Sequence, residues 1–357
     1  MVSRIIFYST FIILVSACTR EKKECITTTT DYVNTGVSID YATNFDLLKT
    51  NVGYSLQILN PENGEIEKTH SLITDVKYKI ISLSATLNGM VSILSQQDQL
   101  VGINSKNHVY DSIILLNITN NNTQSFGDES NVSLEKIIAS GANIVFYNGY
   151  GDQFPNEDKL SKLGVIVIPI YDWREQNPLG KAEWIKLIGV ITGKEEEAKN
   201  YFRQITSQYE SILSITDTIS IKPTTLSGSL YGDIWFAPGG NSYFSRLLKD
   251  AGANYVYSDS KGTSSQEFSM EKILKENIDT EYWINTSMPT KDAVLKSNPK
   301  VRYLKSFSNN SYCYSSNMNL FWERSAAMPH VVLKDLVRIL HPELELEGEL
   351  YFYAKVN

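Results

Sequence analysis

Short apolar runs alternate with amphipathic stretches along most of the 357-residue chain, and these patterns predict strands and helices in turn. An alternating segment at 45–59 precedes a turn at 60–64, whereas the polar stretch 117–131 predicts a loop. The apolar runs that predict strands lie at 78–84, 100–103, 143–147, 165–170, 225–227, 254–257 and 282–284. Helices are predicted at 90–94, 178–193, 195–214 and 243–248, and from Ser133 and Ser269 onwards. This alternation indicates an α/β fold with mainly parallel sheets.

Two helices in the middle of the chain divide this pattern. Pro178 is typical of a helix start and Gly193 of a helix end, and they enclose the first helix. The second is about 30 Å long at 1.5 Å per residue, roughly the diameter of a domain. We therefore expect two Rossmann-like lobes joined by a single long α-helix, with a cleft between the lobes. The predicted boundaries are 41–193 for the first lobe, 194–216 for the interlobe helix and 217–357 for the second lobe.

An internal repeat supports two lobes of related topology. The segment 133–138 returns in similar form at 269–274, 136 residues later. Each copy begins a helix with a serine N-cap and a glutamate in the first turn, and a predicted strand follows. The alternative is that two unrelated helices begin with the same residue types, because a glutamate near the N-terminus is favourable in any helix.

The N-terminus predicts export. Arg4 precedes an apolar stretch at 5–15, which is shorter than the roughly 20 residues that span a bilayer. This pattern predicts a signal peptide at 1–17. Residues 14–18 (LVSAC) resemble a bacterial lipoprotein processing site, which implies a lipid on Cys18 and a location on the periplasmic side of the cell envelope. The alternative is a plain secretory signal. A polar, threonine-rich stretch then predicts a flexible tether over 18–40.

Composition excludes several classes of protein. A net charge of −7 and 20% charged residues argue against a nucleic-acid partner. Three cysteines and four histidines leave little material for a metal site, and we expect none. Cys25 and Cys313 are able to pair in an oxidising compartment, but two separate thiols fit the sequence equally well. The 21 tyrosines, 13 phenylalanines and 5 tryptophans are typical of a recognition surface.

Several segments between about 75 and 345 resemble the substrate-binding proteins of ABC importers for cobalamin, ferric siderophores and haem. The matching segments are ISLS at 81–84, SLE at 133–135, PLGKAEW at 178–184, WFAPGG at 235–240, DAGA at 250–253, SME at 269–271 and FWER at 321–324. Two positions depart from the family's pattern. Residues 140–143 (SGAN) stand where the family usually has Lys-Pro-Asp. His330 stands where an acid is common, so the rim of the pocket is expected to differ from that of the family.

The resemblance implies a ligand cleft between the lobes and no catalysis. Its walls are implied to be loops that follow strands, on which aromatic side chains contact a flat chelate and polar groups fix its edges. The implied ligand-binding residues are Ser84, Thr86, Phe126, Tyr147, Asn148, Tyr150, Tyr171, Trp173, Trp235, Phe236, Trp322 and Arg324. For Arg324, a structural ion pair is the alternative. Few lysines and arginines occur in these walls, which slightly favours cobalamin over a trianionic siderophore.

The resemblance also implies the partners. Glu135 and Glu271 match the glutamates with which the family docks on a permease dimer, which works with an ATPase. We expect a monomer that carries no resident cofactor, reaches the membrane only through its lipid, and binds a cobalt or iron chelate.

Other functions have less support. Gly228-Ser229-Leu230-Tyr231-Gly232 only loosely resembles the nucleophile elbow of a hydrolase. A zinc- or manganese-binding transport lipoprotein needs converging ligands, and the four histidines lack ligand-like spacing. A surface adhesion or structural lipoprotein is the remaining alternative.

Overall fold

The computed structural model describes residues 36–150, 153–315 and 317–357. The predicted signal peptide, Cys18, Cys25 and most of the predicted tether lie outside these residues. Within them, no helix combines the length and the apolar character needed to cross a membrane.

The first lobe is built on a five-stranded parallel sheet in the order β6-β5-β4-β7-β8. Its strands are β4 (Ile80–Ser82), β5 (Leu100–Ile103), β6 (Gln124–Ser125), β7 (Ile144–Tyr147) and β8 (Ile166–Pro169). Its helices are α1 (Ala85–Ile93), α2 (Ser112–Thr119), α3 (Leu134–Ser140) and α4 (Glu157–Lys162). Ser133 is the predicted N-cap of α3, and its hydroxyl accepts a hydrogen bond from the N–H of Lys136.

The second lobe contains a five-stranded sheet in the order β12-β9-β14-β15-β16, in which only β16 is antiparallel to its neighbour. Its strands are β9 (Thr224–Ser227), β12 (Asn254–Tyr255), β14 (Tyr282–Thr286), β15 (Ser311–Tyr314) and β16 (Tyr353–Lys355). Its helices are α7 (Tyr243–Asp250), α8 (Met270–Asn277), α9 (Lys291–Ser297), α10 (Lys305–Asn309), α11 (Met318–Arg324) and α12 (Pro329–Leu340). The predicted mainly parallel α/β architecture is confirmed.

Two small antiparallel sheets accompany the parallel ones. A three-stranded meander precedes the first lobe, and a second sheet in the order β10-β11-β13 lies in the second lobe. The meander strands are β1 (Phe45–Thr50), β2 (Gly53–Leu59) and β3 (Ile66–Ile73), and the other three are β10 (Ser229–Tyr231), β11 (Ile234–Ala237) and β13 (Gln266–Ser269). The predicted alternation at 45–59 thus forms two strands, and β3 was not predicted because it is polar on both faces.

Two consecutive helices, α5 (Pro178–Thr192) and α6 (Glu195–Thr216), link the parallel sheets along the chain. As predicted, α5 begins at Pro178, and Gly193 ends it in the left-handed conformation that favours glycine. All of α5 is buried, whereas α6 buries one face and packs on α5 and α12.

Residues 40–44 are held by two buried carboxylates, Glu183 of α5 and Glu175, which lies just before that helix. Glu183 accepts hydrogen bonds from the N–H groups of Asp40, Tyr41 and Ala42, and Glu175 accepts them from the next two residues. Five consecutive backbone donors are therefore satisfied by two side chains, and we call this segment the N-terminal strap. Burial raises the pKa of Glu175.

The loop predicted at 117–131 is wrong at its start and near its middle. Residues 117–119 complete α2, and residues 124–125 form the edge strand β6. Asn117 is buried although it is polar, while Ile113 and Leu116 on the same helix are exposed, so composition misleads here. The strand predicted at 254–257 also stops at Tyr255.

Candidate ligand cleft

A pocket of about 330 Å³ lies at the carboxyl ends of β9, β14 and β15. Parallel strands typically place ligands at this edge, because the loops that follow the strands converge there. Its aromatic lining consists of Phe236, Tyr243, Phe244, Tyr314, Phe321 and Trp322. Its polar lining consists of Ser229, Ser242, Thr263, Ser265, Asn285 and Ser287. Among the described residues that line it, none is charged, and we call it the aromatic pocket.

The aromatic side chains of this pocket brace one another. The ring of Tyr314 lies 4.3 Å from Phe321 and 5.4 Å from Trp322, measured between centroids. Trp322 nevertheless keeps 47% of its surface exposed, so its ring is available for contact. Such a group offers a large apolar surface that loses little side-chain freedom on binding.

The first lobe contributes an aromatic pair at the ends of β7 and β8. The rings of Tyr150 and Trp173 lie 5.0 Å apart, and the Trp173 indole N–H donates to the carbonyl of Asn148 at 2.8 Å. Asn148 is itself fixed, because its amide donates to Leu83 and to Glu129. Tyr150 is 69% exposed. We call these two side chains the Tyr150–Trp173 platform.

A buried lysine, Lys181, contacts residues from both lobes next to the cleft. The Lys181 ammonium lies 3.4 Å from Asp172, next to the platform, and 4.2 Å from the ring centroid of Tyr243 in the aromatic pocket. Burial by itself would lower the pKa of Lys181, but the electrostatic effects of Tyr243 and Asp172 are together larger, so the pKa lies above its ordinary value. The lysine is therefore charged, and the Asp172 carboxylate balances its charge.

Of the predicted wall residues, Asn148, Tyr150, Trp173, Phe236 and Trp322 are those that the structure brings to the platform or the aromatic pocket. Thr86 lies half-buried in the first turn of α1. Four others are buried away from the cleft: Ser84, Phe126, Tyr147 and Tyr171. Their surroundings explain this, since the Tyr171 hydroxyl donates to Glu67 of the meander and Phe126 packs over Gly102.

Trp235 and Arg324 are corrections to the predicted site. Trp235 is fully buried against Trp283, and its indole N–H donates to the carbonyl of Ser227. Neighbouring residues on a strand point to opposite faces, so Phe236 reaches the pocket and Trp235 does not. Arg324 forms the structural ion pair, 2.8 Å from Asp111 of the first lobe.

Arg324 belongs to a junction between α11 and the first lobe. The Glu323 carboxylate is buried and accepts hydrogen bonds from the N–H groups of Tyr110 and Asp111 at 2.7 and 3.1 Å. Gly89 of α1 lies against the Glu323 carbonyl so closely that no side chain fits between them. We call these contacts the α11 junction.

A family model described as periplasmic binding protein matches residues 80–312, which is more than half of the chain. The chain is a periplasmic binding protein. The predicted family is thereby confirmed, and the matched segment contains the Tyr150–Trp173 platform and the residues of the aromatic pocket up to Ser287.

Solved structures share the fold of this periplasmic binding protein at low identity. A periplasmic haem-binding protein of Vibrio cholerae has a TM-score of 0.61 at 17% identity, and the match covers 75% of this chain and 100% of that one. The triscatecholate siderophore binding protein of Bacillus subtilis, solved with ferri-bacillibactin, has a TM-score of 0.57 at 19% identity, over 77% of this chain and 96% of that one.

Two curated relatives of this periplasmic binding protein are uncharacterized lipoproteins of Methanocaldococcus jannaschii. They are 28% and 26% identical to it, over 65% and 63% of this chain. The match covers only 56% and 59% of the relatives' own length.

The two glutamates singled out in the sequence occupy equivalent positions in the binding protein. Each lies exposed in the first turn of a helix that begins at a serine N-cap, Glu135 in α3 and Glu271 in α8. The Ser133 hydroxyl donates to Glu135 at 2.7 Å and lowers the pKa of that carboxyl. Both carboxylates are therefore exposed to solvent, and the Lys300 ammonium lies 3.8 Å from that of Glu271.

Two other predictions concern cysteine and metal. Cys313 is buried in β15, where it pairs with Ala354 of β16, and Cys25 lies outside the described residues, so the pairing of the two cysteines stays a prediction. No group of three or more histidine, cysteine, aspartate or glutamate residues in the described ranges is arranged to hold a metal ion.

Proposed function

We propose that this periplasmic binding protein captures a metal chelate between its lobes and delivers it to an ABC permease. The observation that carries the proposal is the uncharged aromatic pocket, which meets the Tyr150–Trp173 platform across the Lys181–Tyr243 contact. Flat rings on both lobes suit a corrin, porphyrin or catecholate ligand. The titles of the haem-binding and siderophore-binding structures support this class of ligand.

A neutral chelate such as cobalamin suits the pocket better than a trianionic siderophore. An anion that enters it would lose water without meeting a free cation, because Lys181 is already paired with Asp172. The volume of about 330 Å³ lies at the small end of ligand sites. A bulky chelate therefore inserts one edge and rests its exposed face on the platform.

The chain acts as a lipid-anchored carrier outside the cytoplasm in this proposal. Two relatives described as lipoproteins support the anchor at Cys18, as does the cysteine motif at 14–18. The protein works as a monomer without a resident cofactor and catalyses no reaction.

Glu135 and Glu271 dock the carrier on the permease. Two exposed carboxylates on separate lobes orient a rigid body and speed its encounter with basic groups. We expect Glu135→Lys with Glu271→Lys to reduce chelate transport in cells and to leave binding unchanged. Asp158→Lys with Glu276→Lys is the matched control, since both acids are exposed on α4 and α8 and the net charge changes equally. Equal transport by the two double variants would contradict this role.

Direct titration tests the ligand class. Purified protein is titrated with cyanocobalamin, haem and several ferric siderophores, followed by absorption and calorimetry. Tyr150→Ala and Trp173→Ala should each weaken binding about tenfold, because one aromatic contact contributes roughly 1 kcal/mol or more. Tyr231→Ala is the control, since Tyr231 is 81% exposed and lies outside the cleft lining. Absence of binding to the whole panel would refute the proposal.

A further inference from the structure

One asparagine at the floor of the aromatic pocket has an unusual backbone. Six residues other than glycine have a positive φ in the described ranges, and five of them are exposed. Asn285 is the exception, because it is 7% exposed and lies inside strand β14 with φ at 68°. A left-handed residue within a buried strand is uncommon, and such positions concentrate at functional sites.

A β-bulge accompanies this conformation. The register between β14 and β15 shifts between Ile284 and Thr286, so Asn285 has no partner opposite it. A bulge bends its strand and redirects the side chain at that point. Asn285 lines the aromatic pocket as a result.

Two buried partners hold the Asn285 amide in one orientation. Its Oδ1 accepts a hydrogen bond from the Tyr353 hydroxyl at 3.0 Å, and its Nδ2 donates to Ser227 Oγ at 3.4 Å. Tyr353 is 2% exposed. Burial raises the pKa of Tyr353 well above its ordinary value, so the hydroxyl keeps the proton that it donates. An amide nitrogen carries two hydrogens, and one remains for the pocket.

Resting on the proposed function, we infer that Asn285 is a specificity-determining residue that donates this N–H to an uncharged oxygen acceptor on the chelate. The acceptor is a carboxamide or carbonyl oxygen at the edge that enters the aromatic pocket.

The surroundings of Asn285 select a neutral acceptor over a carboxylate. The polar groups near it are hydroxyls, such as those of Ser229 and Ser287, and the lining within the described residues carries no charge. A buried carboxylate without a cation costs far more than an amide that keeps a hydrogen bond. The Lys181 ammonium lies against Tyr243, and its charge is matched by the Asp172 carboxylate.

A fragment experiment tests the inference without any chelate. The side-chain amide resonance of Asn285 is assigned in ¹⁵N-labelled protein by its loss in Asn285→Gly. N-methylacetamide should shift this resonance at concentrations at which sodium acetate does not. No shift with N-methylacetamide, or an equal shift with acetate, would overturn the inference.

Chelate binding gives the second measurement. Cyanocobalamin carries peripheral carboxamides, and Asn285→Gly should weaken its binding about tenfold through the lost hydrogen bond. Glycine tolerates a positive φ, so this variant should fold. Asn285→Asp should bind more weakly still, because its carboxylate has no N–H to donate and also repels the acceptor oxygen of the ligand. Asn121→Gly is the control, since Asn121 is also left-handed but exposed.

The outcomes separate the inference from the proposed function. A fragment shift without binding of any chelate in the panel refutes the proposed function and keeps the role of Asn285 as an amide donor. Chelate binding that is equally strong in wild type, Asn285→Gly and Asn285→Asp refutes the inference and keeps the proposed function.

Discussion

Gly89 allows a sharp test of the α11 junction, because its helix position and its packing predict opposite results. In an exposed helix, Gly→Ala stabilises by about 1 kcal/mol. A Cβ at Gly89 would lie 1.7 Å from the carbonyl oxygen of Glu323, whereas ordinary contact begins near 3.4 Å. The backbone of α11 would have to move by the difference, about 1.7 Å.

The cost of that movement follows from the bonds at the junction. Overpacking typically costs 1–3 kcal/mol, and a lost hydrogen bond to a charged group costs about 1.5–3 kcal/mol. The bond from the Tyr110 N–H to Glu323, 2.7 Å long, would stretch first. After the helix gain of about 1 kcal/mol is subtracted from the sum of these two costs, Gly89→Ala should destabilise the protein by about 1.5–5 kcal/mol.

Urea unfolding followed by circular dichroism measures this change. Ser211→Ala on the exposed face of α6 is the control, because it also introduces alanine into a helix but meets open space. Its unfolding free energy should stay within about 0.5 kcal/mol of wild type. An unchanged or increased stability of Gly89→Ala would refute the close packing of α1 on α11.

Three further predictions concern acid stability, the ion pair and lobe motion. Burial lowers the pKa of His330 to about 4, so its contribution to stability is present above about pH 6.5 and is lost as the pH falls towards 4. Between pH 7 and pH 4.5, the free energy of unfolding measured in urea should fall by up to about 3 kcal/mol less in His330→Gln than in His108→Gln, in which the exposed histidine is replaced. An equal fall in the two variants would contradict this. Arg324→Met should lower the free energy of unfolding by about 1–2 kcal/mol and leave chelate affinity unchanged. A loss of affinity without a loss of stability would show that Arg324 contacts the ligand after all. X-ray scattering should show little contraction on ligand binding, because α6 and the α11 junction both restrain the lobes; a large contraction would count against this.

Local signals explain what the sequence predicted well. Pro178, Gly193 and the serine caps of α3 and α8 act within one helical turn, so their effect is visible without the fold. Helix α6 was predicted because its apolar residues recur on one face along the whole helix.

The direction of a side chain was the main failure. A strand end with two aromatic residues, such as Trp235 and Phe236, always sends them to opposite faces, and the sequence does not say which face meets the cleft. The ion pair of Arg324 with Asp111 joins positions far apart in the chain, which only the fold brings together. Tyr243 and Tyr314 were missed as pocket residues for the same reason, although each stands in an aromatic-rich stretch.

Asn285 had no signal at all in the sequence. A bulge arises from the register of two strands, β14 and β15, which contact each other only after folding. The three-residue run at 282–284 predicted the strand but gave no indication of its irregular end.

The N-terminal strap has a mechanical consequence for the proposed lipid-anchored carrier. Five consecutive backbone N–H groups of the strap donate hydrogen bonds to Glu183 of α5 and to Glu175 just before it, and α5 packs on α6, the helix that links the lobes. Tension on the chain ahead of residue 36 would therefore pass into α5 rather than peel the meander away. In that carrier neither lobe would be pulled open by a load on the N-terminus, and the cleft would keep its shape.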